Sequence, residues 1–124
     1  VVVRNITGDK VPWWVNEGIA ETLSHPLDQQ DRERLLELFA NGRDFRLSSL
    51  SSPQLAGKLS PDRLKEAYLQ AHATMELLIT RHGKGKVNLL LTRFSSGDTE
   101  DQALRQIYRK SVAVLEEDVR AAYR

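Results

Sequence analysis

The sequence has no cysteine, which excludes a disulfide framework, a thiolate metal site and a cysteine nucleophile, and leaves the redox compartment undecided. It also lacks any long apolar run. Stretches such as Leu89 to Leu91 fall far short of the roughly 20 apolar residues that a membrane-spanning helix needs. Charge of one sign is missing as well: 18 basic residues against 17 acidic ones leave a formal net charge of +1, so no overall field favours nucleic acid or an anionic membrane as a partner. The chain opens Val1-Val2-Val3-Arg4, without methionine and without the basic start and apolar segment of a signal peptide, as expected of a piece of something longer. Asn5-Ile6-Thr7 fits a glycosylation acceptor, a pattern too short to carry weight. What remains is ordinary for a water-soluble globular domain, with 40% hydrophobic and 28% charged residues. A chain of 124 residues suffices for one domain with one core, spanning 1–124.

The periodicity is helical throughout, and no alternating strand pattern competes with it. Pro12 suits a helix N1 position, and Trp13, Val15, Ile19, Ala20 and Leu23 lie mostly on one side of a helix over about 12–24, which His25-Pro26 ends. Asp28 or Asp31 caps a second helix with Leu35, Leu36, Leu38 and Phe39 on its apolar face, stopped at Asn41-Gly42. Residues 43–59 read as a packed loop anchored by Phe45, Leu47, Leu50 and Leu55. Ser60-Pro61-Asp62 starts the longest helix, central to the fold, which Gly83 ends. Val87, Leu90, Leu91 and Phe94 mark a fourth helix, and Thr99 with Gln102 forms a capping box for a fifth. Ser111 caps a sixth, with Leu115, Val119 and Ala122 inward. The expected fold is all-α, about six helices and no sheet.

One segment holds more than a helix requires. Gly18 sits inside the first helix, where glycine costs about 1 kcal/mol relative to alanine, so another element is expected to approach it closely. Glu17 and Glu21 stand one turn apart, a like-charge pair that a cation or a metal-bound histidine would relieve. Taken alone, the same residues also fit a solvated acidic face beside a tryptophan core.

Trp14-Val15-Asn16-Glu17-Gly18-Ile19-Ala20 resembles the tryptophan-aliphatic-x-Glu-Gly-aromatic/aliphatic-Ala segment of the gluzincin metallopeptidases, among them the aminopeptidase N group and the peptidase-MA-like domains. Pro12 resembles the latter, as do Tyr68-Leu69-Gln70-Ala71-His72 and Arg81-His82-Gly83 with their downstream helix. The resemblance implies the C-terminal helical part of a zinc metallopeptidase domain that cleaves peptide or protein substrates. It makes Glu17 the third zinc ligand, beside two histidines of a His-Glu-x-x-His helix. Glu21 becomes the acceptor for a ligand histidine's free N–H, and Tyr68 a candidate oxyanion donor. Only 16 residues precede Glu17 and none of them is histidine, so the motif is expected to end at or just before Val1.

Three expectations follow. The chain alone should hold no zinc and be inert, because it offers Glu17 alone at the predicted position. His25, His72 and His82 should be no ligand set, with His72 a half-buried helix residue and His82 a C-terminal residue suited to the helix dipole. Trp13 and Trp14, short of their covering helix, should form an apolar patch open to self-association. The alternative is a non-catalytic helical module, built on a peptidase scaffold, that binds protein partners.

Overall fold

The computed structural model describes residues 11–52 and 54–124, so Asn5-Ile6-Thr7 lies outside the described residues. Among them are six α-helices, two short 3-10 turns and no strand. Helix α1 is Trp13–Ser24, α2 Gln29–Ala40, α3 Pro61–His82, α4 Gly85–Ser95, α5 Glu100–Tyr108 and α6 Val112–Ala122. The 3-10 turns Leu47–Leu50 and Leu55–Lys58 fall within the segment expected to be a packed loop.

The boundaries follow local chemistry. Pro12 is the N-cap of α1 and not its first residue. Its carbonyl accepts from the amides of Val15 and Asn16, while Trp13 N–H donates to Ser51 O at 2.9 Å. At the other end His25 is extended, as a residue before proline must be. Asp28 and Asp31 cap α2 reciprocally, each side chain accepting from the other's amide. Ser60 caps α3, with Pro61 in its first turn, and Gly83 ends it at φ +87°, a conformation that glycine adopts without steric cost. Thr99 and Gln102 form the box on α5, and Ser111 accepts from Val114 N–H on α6.

Helix α3 is central, packing against α1, α2, α4 and α6. Its Met75 and Leu78 share the core with Leu35 of α2, Leu47 and Leu50 of the loop, Leu90 and Phe94 of α4, Leu104 of α5 and Leu115 of α6. The loop is tied to α3 by Gln70, a buried amide whose Nε2 donates to Phe45 O at 2.6 Å and whose Oε1 accepts from Phe45 N–H at 2.8 Å. Burying that amide is tolerated because both of its ends are paired.

Three expected core positions are corrected. Leu23 is 75% exposed and Leu36 42% exposed, and Ala122 also faces outward. Periodicity gives a stripe, but a short helix end that overhangs its neighbour leaves part of the stripe uncovered. At the C-terminus Tyr123 fills the place expected of Ala122, stacking on Phe39 with ring centroids 5.8 Å apart.

Candidate metal centre

The site is built on the crossing of α1 and α3. Gly18 is what lets the two helices approach: a Cβ there would lie 2.7 Å from Ala71 O and 2.9 Å from Met75 Cβ. The close neighbour implied by a mid-helix glycine is therefore α3, and the packing gained offsets the helical cost of glycine.

The N-terminal half of α1 is sealed. Trp14 is fully buried, and its indole N–H donates to Glu100 Oε1 at 2.9 Å. Glu100 also accepts from the Ser51 hydroxyl, and its burial holds its carboxyl above the usual glutamate value despite those two bonds. Trp13 is 5% exposed and packs on Tyr68, ring centroids 5.1 Å apart. The apolar patch expected around Trp13 and Trp14 is thus absent, because α3, α5 and the Ser51 backbone cover both indoles within one molecule.

Glu17 lies on this sealed stretch and is 7% exposed, an unusual burial for a carboxylate and the opposite of a solvated acidic face. Glu21, one turn on, is half-buried, with its Oε2 4.0 Å from His25 Nδ1.

Glu21 and His25 are an i,i+4 pair at the end of α1, and Tyr68 and His72 an i,i+4 pair on α3; all four line one open cleft of about 230 Å³. Asp31, Arg34 and Lys65 line it too. A carboxylate oxygen of Glu21 and a ring nitrogen each of His25 and His72 lie within 4.8 Å of one another. The imidazoles meet edge to face, with centroids 5.2 Å apart at 86°. His72 is 2% exposed, not half-buried, and its Nε2 is buried with no hydrogen-bond partner. Burial, with the nearby His25 adding to it, lowers its pKa and keeps the ring neutral and able to ligate.

One expectation fails here. The histidines are not all isolated: His25 and His72 come together with Glu21 as a set of metal-binding donor types. Sequence spacing missed this because an i,i+4 test sees partners on one helix, whereas these two histidines meet across a helix crossing. The available signal was Glu21 at i,i+4 from His25. His82 closes the last turn of α3, as expected. It packs on Tyr108 at 5.1 Å, and burial, followed by Lys110, Lys86 and Arg81, lowers its pKa.

Tyr68 opens on the same cleft as the histidines, with one face of its ring against Trp13. Among the described residues no helix is long and apolar enough to cross a membrane. No curated protein and no solved structure showed significant similarity to the chain. The family model described as the Peptidase MA superfamily matches residues 1–124, the sequence's whole length and with it the helix that carries Glu17 and Gly18, and on that match the chain belongs to this family.

Proposed function

We propose that the chain is the helical part of a gluzincin-type zinc metallopeptidase domain, in which Glu17 is the third zinc ligand and peptide or protein is the substrate. The observation that carries the reading is the burial of Glu17 beside Gly18, in a segment of the family's pattern. A carboxylate is a donor that zinc takes, and a secluded position in that segment suits a metal ligand. Burial of both tryptophans removes the argument from an uncovered face, so the reading rests on this carboxylate and on membership of the peptidase family.

Glu17 fits zinc by donor type and by seclusion, but one carboxylate does not make a site of three or four ligands. The His-Glu-x-x-His pair of the gluzincin pattern does not occur in the sequence, so the chain by itself is inert in this reading. When bound, zinc supplies a Lewis acid and an activated water for peptide hydrolysis. This chain's part is to hold the Glu17 carboxylate rigidly, through the tight α1–α3 crossing, and to keep water from its apolar surround. Glu21 has one oxygen turned to His25, which leaves the other to accept from a ligand histidine. Tyr68 is the candidate oxyanion donor, placed one turn before His72 on the cleft wall.

The test uses a chain extended upstream in the parent sequence. With His-Glu-x-x-His present it should take up one zinc more than the 124-residue chain does and gain thermal stability from it, since metal bound only by the native state shifts unfolding. Glu17→Ala should abolish that additional uptake and the peptidase activity. Retention of the additional zinc without Glu17, or an upstream sequence with no such motif, sinks the reading in favour of the protein-binding module.

A further inference from the structure

Glu21, His25 and His72 all lie outside the Trp14–Ala20 segment, and the reading of Glu17 does not need them as ligands. We propose that these three side chains bind a divalent transition-metal ion of the zinc class in the cleft between the end of α1 and the middle of α3. The assignment goes beyond the Glu17 reading and stands apart from it, with Glu21 the one residue that figures in both.

The donor chemistry selects the ion. Two imidazole nitrogens and one carboxylate suit zinc and its neighbours in the first transition row, whereas calcium and magnesium take oxygen ligands. Three protein donors with a position left open is the usual composition of an accessible zinc site. The geometry is near what is needed. Ligands of a tetrahedral zinc stand about 3.4 Å apart, as follows from bonds of about 2.0–2.1 Å. The donors here are within 4.8 Å of one another, and the Glu21–His25 pair is already at 4.0 Å. His25 closes the remaining gap at little cost, because its side chain is 52% exposed and follows the last residue of α1.

A second observation points to a ligand independently of the cluster. His72 is 2% exposed on the wall of this cleft, and its Nε2 has no hydrogen-bond partner among the described residues. An orphaned polar atom in so buried a position is uncommon in native proteins. Coordination of Nε2 to a metal ion removes that cost. Asp31 and Glu21 on the same cleft balance the positive charges of Arg34 and Lys65, so the ion does not enter a basic pocket.

The experiment is a calorimetric titration of the untagged 124-residue chain with zinc chloride alone, repeated with cobalt(II) so that the visible absorption reports coordination. One equivalent of zinc should bind, with a tetrahedral cobalt spectrum. His25→Ala and Glu21→Gln should each weaken binding about tenfold or more, since even residues that only support a ligand cost 10–100-fold. Both positions are partly exposed, so the folds of these variants should survive, as circular dichroism checks. His82→Ala, at the remaining histidine, should leave binding unchanged. No zinc uptake, or uptake indifferent to His25→Ala, or uptake lost in His82→Ala, overturns the proposal. Neither outcome bears on Glu17, which the longer chain tests separately.

Discussion

The two halves of α1 are one helix with two fates. From Trp13 to Ile19 every residue but Asn16 is buried, and two N–H groups are tied into neighbours: the Trp14 indole to Glu100, and the Trp13 amide to Ser51. From Glu21 to Ser24 no residue is buried, Leu23 is 75% exposed, and Glu21 lines a cleft with His25, which follows the helix end. Helical propensity does not separate the halves. The first is held by close packing at Gly18, and the second is free to keep polar groups that packing would otherwise exclude.

The sharpest break in that contrast should be Trp14→Ala against Leu23→Ala. Truncating a fully buried tryptophan costs about 3–5 kcal/mol, and here it also leaves the Glu100 carboxylate without one of its donors. Leu23, facing solvent in the other half, should change stability by less than about 0.5 kcal/mol. Urea unfolding of the two variants measures both, and equal losses would mean that the halves are packed alike.

Next in size is Gly18→Ala. The atom that the new methyl meets is the Ala71 backbone oxygen at 2.7 Å, which cannot swing aside as a side chain would. Overpacking of this kind costs about 1–3 kcal/mol and should outweigh the helical advantage of alanine, about 1 kcal/mol. A melting temperature equal to or above that of the native chain would show that the crossing is looser than described.

The smallest effect concerns Glu100 and pH. Burial raises its folded-state pKa above the ordinary 4.5, even with Ser51 and Trp14 donating to it. A raised carboxyl binds its proton more tightly folded than unfolded. Its charge therefore weighs against folding at neutral pH, and that burden lifts as pH falls through the raised value toward 4.5. The stability difference between Glu100→Gln and the native chain should accordingly favour the variant most near pH 7 and shrink on acidification. Carboxyls with the opposite behaviour, such as Asp101, which the Arg105 hydrogen bond holds low, are present in both proteins and cancel. A difference independent of pH between 7 and 4.5 would remove Glu100 from the account.

Much of the fold was legible because its signals are local. Caps at Asp28, Ser60, Thr99 and Ser111 and the stops at Pro26, Gly42 and Gly83 depend on residues three or four apart, and the structure has them where the sequence places them. The segment around Glu17 was legible in the same way, and Gly18 even announced its neighbour. The exposure of Leu23 and Leu36 was not, since a helical stripe does not say how far the partner helix extends.

What the sequence by itself determined is therefore the helices, their ends, the absence of strands among the described residues and the peptidase-like segment on α1. Each is written in contacts along the chain, within one or two helical turns. Only the tertiary structure decided that both tryptophans are covered within one molecule, and that the histidines at the end of α1 and the middle of α3 face one cleft with Glu21. Those facts depend on which helix crosses which, at what register, and the crossing is fixed by the fit of whole surfaces around Gly18 and Ala71, which no short spacing records.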